Sequence, residues 1–104
     1  MIKLLVLTRL KPGTDPDEAW ELWSTKYSVM AAKTMRPELK HYTINRVIKT
    51  IADQKTDIYG FAEQLYEDVE SCERAFGRRL SNPGIRPPFD FERLIAEFRE
   101  VPLL

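Results

Sequence analysis

The chain has 104 residues, in which 16 basic and 16 acidic residues cancel. A domain of this size can bury one core but not two. Nucleic acid and anionic membranes attract clustered basic residues, so the balanced charge argues against either as the main partner. No apolar stretch approaches the ~20 residues of a membrane span. A single cysteine forms no internal disulfide, so we expect a reducing, cytoplasmic setting.

The first predicted element is a strand over residues 2–10, where Leu, Val and Ile dominate. A helix is then expected from residue 15 to about 33, because Asp15 is a good N-cap and Pro16 suits the first helical position. Residues three and four apart form its apolar stripe. They are Trp20, Trp23, Tyr27, Met30 and Ala31.

A long β-hairpin is predicted next, with arms at residues 39–48 and 58–66 that are rich in β-branched and aromatic residues. With an assumed register, its first face carries Tyr42, Ile44, Arg46, Ile48, Tyr59, Phe61, Glu63 and Leu65. The second face carries Leu39, His41, Thr43, Asn45, Val47, Ile58, Gly60, Ala62, Gln64 and Tyr66. The first face is bulky and apolar apart from an Arg46–Glu63 pair, and should meet a second subunit. The second face mixes small and uncharged polar residues, and should floor a ligand pocket.

A second helix should run from residue 69 to about 80, capped by Glu67 or Asp68. Its apolar stripe includes Phe76, while Arg78 and Arg79 suit the dipole at its C-terminus. Residues 85–90 should form a proline-stiffened loop. The tail fits helix or strand, and a strand over about 94–103 completes the order β-α-β-β-α-β. That order is typical of an α+β, ferredoxin-like domain with a four-stranded antiparallel sheet and both helices on one side.

The sequence excludes several kinds of site. One histidine and one cysteine cannot form a closed zinc site, and no acidic cluster has calcium-binding spacing. The four glycines are scattered and form no phosphate loop, so no cofactor is expected. His41 is the candidate catalytic proton carrier, because its ordinary pKa lies near neutrality. The alternative is a hydrogen-bonded strand histidine.

The remaining candidate site residues would bind the substrate. Trp23 and Tyr27 would form an aromatic wall, although a helical stripe more often packs the core. Thr43, Asn45, Gln64 and Tyr66 would orient polar groups, and Tyr66 would alternatively plug the core. The segment over residues 82–90 should border the pocket, opening at Gly84 and offering Arg86 to an acidic or carbonyl group. Its alternative is a plain connection.

Several short motifs resemble the dimeric α/β-barrel superfamily and its EthD-like group. They are the opening Met1-Ile-Lys-Leu-Leu-Val-Leu, Lys11-Pro-Gly, Trp23, Pro37-Glu-Leu39, Tyr42, Asn45 and Ala62-Glu63. The resemblance implies ferredoxin-like domains that pair as homodimers through their sheets. It also implies an aromatic or polyketide-like ligand between sheet and helices, usually without a cofactor. Many members carry a histidine near the end of the first helix, where this chain has Tyr27-Ser-Val29.

The chain as a whole resembles still more closely the RedY-like proteins of prodiginine (tripyrrole red pigment) biosynthesis. This implies a role in bacterial secondary metabolism, around condensation of a bipyrrole aldehyde with a monopyrrole. One expected function is a cofactor-independent protein that binds a flat pyrrolic or aromatic small molecule and assists its condensation or dehydration. The alternatives are a non-catalytic binding or chaperone module, and a cofactor-free polyketide cyclase or monooxygenase-like enzyme.

Overall fold

The structure is a computed structural model, and it describes residues 1–103. Its elements are β1 (Ile2–Leu10), α1 (Pro16–Leu22), a π-helical turn (Trp23–Tyr27), α2 (Ser28–Met35), β2 (His41–Arg46), β3 (Gly60–Tyr66), α3 (Val69–Ser81) and β4 (Phe89–Glu97). The strands form one antiparallel sheet in the order β2-β3-β1-β4. The buried side chains of the helices pack against one face of this sheet. The predicted ferredoxin-like fold is therefore confirmed.

Local capping signals place the helix starts. The Asp15 carboxylate accepts hydrogen bonds from the backbone N–H groups of Asp17 and Glu18, at 2.8 and 3.0 Å. Asp68 accepts one from the Ser71 N–H at 2.8 Å. Each carboxylate satisfies donors that the first helical turn leaves unpaired, so both helices begin where the sequence predicts.

The π-helical turn keeps buried a stripe of residues that recur every four positions along the first helix. A spacing of four exceeds the 3.6 residues of an α-helical turn, so such a stripe would drift around a regular helix. At the π turn the Ser28 N–H donates to the Trp23 carbonyl five residues earlier, which widens the helix. The buried members of the stripe are Ala19, Trp23, Tyr27, Ala31 and Met35.

The hairpin register differs from the assumed one. Tyr42 pairs with Gln64 and Ile44 with Ala62, whereas Thr43 pairs with Glu63. The β2 half of each predicted face therefore belongs to the other side, since a one-residue slip moves every side chain across the sheet. Tyr42, Ile44 and Arg46 face the helices together with Gly60, Ala62, Gln64 and Tyr66. His41, Thr43 and Asn45 share the opposite, open face with Phe61, Glu63 and Leu65.

The predicted Arg46–Glu63 pair does not form, for the same reason. Arg46 donates to the Asp17 carboxylate at 2.8 Å on the helix side. Glu63 instead pairs with Lys3 at 3.3 Å on the open face. The two residues lie on opposite sides of the sheet.

The last strand starts earlier than predicted. It spans Phe89–Glu97 rather than about 94–103, because Phe89 already pairs with Leu10 of β1. The Lys11 N–H also donates to the Pro88 carbonyl at 3.0 Å, which ties the preceding loop to the sheet. No helix within residues 1–103 is long and apolar enough to span a membrane.

Candidate functional site

A cleft opens between the helices and the sheet. Its inner chamber has a volume of about 30 Å³, room for one or two waters. Its mouth is wider, at about 260 Å³, and opens to solvent. Both parts share the side chains of Tyr27, Phe76, Arg79, Phe91 and Arg93, so we treat them as one cleft.

Aromatic side chains line the cleft and continue into the core. Tyr27 stacks on Phe91 with ring centroids 5.9 Å apart, and Phe91 meets Phe89 edge-on at 6.0 Å. Trp23 packs edge-on against Phe89 at 5.2 Å. A side chain at Gly60 would meet the Trp23 indole at 2.8 Å, so this glycine lets the indole lie against the sheet. The wall is aromatic and apolar, which suits a planar ligand.

The inner end of the chamber carries uncharged polar groups. Gln64 is buried and accepts a hydrogen bond from the Tyr66 hydroxyl, at 2.6 Å to its Oε1 atom. Burial raises the pKa of Tyr42 to about 12, so its phenol stays protonated near neutrality. The Tyr42 hydroxyl and the Gln64 amide are thus neutral hydrogen-bonding groups beside the chamber.

Two arginines border the middle of the cleft. The Arg79 guanidinium lies 5.2 Å from the centre of the Tyr27 ring, and its Nη2 donates to the Tyr27 hydroxyl at 3.1 Å. The Arg93 guanidinium lies 4.7 Å from the Phe91 ring and 4.9 Å from the Phe76 ring. The desolvation of the Arg93 guanidinium lowers its pKa, and the positive charge of Arg79 adds to this effect.

Most of the segment predicted to border the pocket, residues 82–90, does so: residues 82–88 form a loop at the mouth, and residues 89 and 90 already belong to β4. Pro83, Ile85, Arg86 and Pro87 all line the opening. Gly84 has a φ of +55°, and a side chain there would collide with the Met30 sulfur of α2. Gly84 therefore lets the segment pack closely against the Met30 side chain of α2. Control of access by this segment stays a prediction.

The cleft brings together four of the predicted site residues. Trp23 and Gln64 line the inner chamber, Tyr27 lines both parts, and Arg86 lines the mouth. Tyr66 is fully buried, and its hydroxyl lies 3.6 Å from the Met35 sulfur. It plugs the core and orients Gln64.

The other three predicted site residues lie outside the cleft. The exposed His41 begins the edge strand β2, on the open face. Thr43 donates to the Glu63 carboxylate at 3.5 Å, and Asn45 donates to the Phe61 carbonyl at 3.2 Å. The predicted placement of all three on the pocket face is wrong, because it followed from the wrong register. The structure does not test the catalytic role predicted for His41, but its exposed position outside the cleft lining favours the alternative of a strand histidine.

The sequence reasoning missed other cleft residues. Tyr42 was assigned to the subunit interface, and Arg79 was interpreted only through the helix dipole. Phe91 and Arg93 precede the predicted start of the last strand at about residue 94, so the sequence analysis assigned them to no face of the sheet. The alternation of Phe89, Phe91 and Arg93 along one strand face is the signal that would have placed both in the cleft.

The lining limits the chemistry of the cleft. Among the described residues, its lining contains no histidine, cysteine or carboxylate. No group of three such side chains within residues 1–103 is arranged to hold a metal ion. The cleft supplies aromatic surface, neutral hydrogen bonds and positive charge. Groups of these kinds can bind, orient and polarise a ligand.

Comparison with known proteins supports the fold. No family model matches the chain, and no curated protein sequence matches it closely. An EthD family protein from Bacillus halodurans has a similar structure, with a TM-score of 0.67, 16% identity, and coverage of 95% of this chain and 99% of that one. The cofactor-independent oxygenase SnoaB from Streptomyces nogalater has a TM-score of 0.61 and 12% identity, with 96% and 94% covered.

A third similar structure is that of a single-site mutant of MhuD, which has two manganese protoporphyrin IX molecules bound per active site. Its TM-score is 0.69 at 14% identity, and 98% of this chain and 99% of that chain are covered. Identities this low show a shared fold alone. The chain thus has the fold found in EthD family proteins, over nearly its whole length.

Proposed function

We propose that the protein binds a flat pyrrolic or aromatic small molecule in the cleft and assists its condensation or dehydration, as an EthD-like protein of prodiginine-type secondary metabolism. The observation that carries the proposal is the stacked aromatic wall of Tyr27 and Phe91 beside the polar pair of Tyr42 and Gln64. Planar π-systems favour stacked and edge-on packing, and the polar pair would fix one edge of the ring.

The ligands and chemistry of the structural neighbours are compatible with such a site. MhuD holds flat tetrapyrroles, and SnoaB works without a cofactor. Both share only the fold with this chain, so they show that this fold can hold a flat ligand and can work without a cofactor, but not what this chain binds. The pyrrolic identity of the ligand rests on the overall resemblance of the sequence to RedY-like proteins.

The chemistry of such a condensation suits the groups present. A pyrrole carbon bonds to an aldehyde carbon, one C–H and one N–H proton are lost from the pyrrole, and the aldehyde oxygen leaves with these two protons as water. The Tyr42 hydroxyl would donate a hydrogen bond to the aldehyde oxygen, and the aromatic wall would hold the two rings in contact. The described lining contains no histidine, cysteine or carboxylate, which favours orientation over proton transfer. This favours a binding or assisting role over acid–base catalysis.

We further propose that two copies pair through the open face of the sheet. Leu94 and Phe98 on this side are 44% and 40% exposed, beside the partly exposed Leu5, Phe61 and Leu65. A monomer would leave these side chains as a contiguous apolar patch in water. Pairing like faces around a two-fold axis covers the patch on both copies. The predicted interface thus keeps Phe61 and Leu65 but loses Tyr42 and Ile44, which face the helices.

The direct test is calorimetric titration of the protein with 2,2′-bipyrrole-5-carbaldehyde. We expect one molecule to bind per protomer, and the Tyr27→Leu variant to bind at least about tenfold more weakly because the stack with Phe91 is lost. Tyr59→Leu is the matched control. Tyr59 belongs to the same aromatic cluster but does not line the cleft.

Absence of binding at millimolar concentrations would overturn the proposal. Equal losses in the Tyr27 and Tyr59 variants would show that the cleft is not the site. To separate assistance from the chaperone role, 2,4-dimethylpyrrole is added to the same samples, and its rate of condensation with the bipyrrole aldehyde is measured. Faster product formation indicates assistance, and an unchanged rate with intact binding indicates the chaperone role.

A further inference from the structure

Two guanidinium groups lie beside the stacked rings of Tyr27 and Phe91 in the cleft. Arg79 donates to the Tyr27 hydroxyl at 3.1 Å, and Arg93 lies over Phe91, the ring that stacks on Tyr27. Arg79 comes from α3 and Arg93 from β4, so the two positive charges are brought together only by the tertiary fold. Like charges at such a site repel each other until an anion lies between them.

These two arginines differ from the paired arginines of the chain. Arg9 pairs with Asp57 and Glu92, Arg46 with Asp17, and both Arg74 and Arg78 with Glu38. Within residues 1–103, neither Arg79 nor Arg93 forms an ion pair. The Nε–H group of Arg79 is buried and has no acceptor among these residues. A buried donor without a partner costs free energy, which a bound acceptor would recover.

The charge of the cleft has one sign. Its charged lining residues are Lys11, Arg79, Arg86 and Arg93, and the described lining includes no acid. The chain as a whole carries no net charge, with 16 basic and 16 acidic residues. A mouth lined by one sign of charge attracts the opposite charge and concentrates it there.

We propose that Arg79 and Arg93 bind a carboxylate, so that among flat aromatic molecules the cleft prefers those that carry an acid group. The inference rests on the proposed binding of flat molecules in the same cleft. Arg79 already donates through Nη1 to the carbonyls of Asn82 and Pro83, at 3.0 and 2.7 Å, so it would contribute mainly its charge. The Arg93 fork would match the two oxygens of a carboxylate, and the aromatic surface beside it would hold the attached ring. The acid is bound as its anion, and no bond is made or broken in binding.

The test compares two probes of the same shape, the anion indole-2-carboxylate and the neutral indole-2-carboxamide, by calorimetric titration at low salt. We expect the carboxylate to bind at least about tenfold more tightly, equivalent to about 1.4 kcal/mol. Arg79→Gln and Arg93→Gln should each reduce this ratio, and added salt should do so as well. Arg74→Gln is the matched control, because Arg74 lies on the same helix but pairs with Glu38 away from the cleft.

The outcomes separate the two proposals. Equal affinity for both probes in the unmodified protein overturns the carboxylate site while the binding of flat molecules stands. A preference that survives in both glutamine variants also overturns it, because the charge would then be recognised elsewhere. Failure of both probes to bind counts against the proposed function as well.

Discussion

At the scale of single residues, Glu38 makes the strongest electrostatic contacts in the chain. It accepts hydrogen bonds from Arg78 and Arg74, and these lower its pKa from the ordinary 4.5 to about 2. A carboxylate whose pKa is lower in the folded than in the unfolded chain stabilises the fold at any pH above its unfolded-state pKa. This contribution is lost as the pH falls from about 4.5 towards 2.

Replacing this carboxylate should therefore have a pH-dependent effect. We expect Glu38→Gln to melt at a lower temperature than the unmodified protein at pH 7, with the difference shrinking as the pH falls towards 2. Thermal denaturation followed by circular dichroism measures both curves. Arg74→Gln, which removes only one of the two partners, should show a smaller difference. A difference in melting temperature that does not change with pH would contradict the lowered pKa of Glu38.

Replacing His41, in contrast, should have little effect. It is exposed on the open face of edge strand β2, outside the cleft lining. We expect His41→Asn to change the affinity of a cleft ligand less than about twofold and to leave any turnover unchanged. A loss of turnover of about 100-fold with normal affinity would instead establish His41 as the proton carrier.

At the scale of elements, the segment over residues 82–88 depends on Gly84. An alanine there would adopt an unfavourable positive φ and collide with Met30, so we expect a loss of about 1–3 kcal/mol in unfolding free energy. Gly77→Ala is the control, since Gly77 lies within α3 with open space around it, and should stabilise by about 0.5–1 kcal/mol. Urea denaturation compares the two. Equal effects would mean that the contact with Met30 is unimportant.

Elements with local signals were predictable from the sequence, and the hairpin register was not. Asp15 and Asp68 determine their helix starts through contacts within four residues. The connection between β2 and β3 is long and irregular, with positive φ at Ala52 and Asp53, so no short turn sets the register. Packing sets it instead, for example where Gly60 admits the Trp23 ring. A register between β2 and β3 that is wrong by one residue was enough to assign His41 and Tyr42 to the wrong faces of the sheet.

At the scale of the whole molecule, the open face should hold two copies together. We expect sedimentation equilibrium to give a dimer at micromolar concentration, and Phe61→Glu to give a monomer because it buries a charge in the interface. Val69→Glu is the control, because Val69 is 42% exposed on α3 rather than on the sheet. A monomeric unmodified protein would contradict the proposed pairing.

The central claim is that the cleft between helices and sheet is the ligand site. A crystal structure of the protein soaked with indole-2-carboxylate tests it most directly. The account predicts ring density against Tyr27 and Phe91, with the carboxylate next to Arg79 and Arg93. Density on the open face near His41, with the cleft empty, would contradict it.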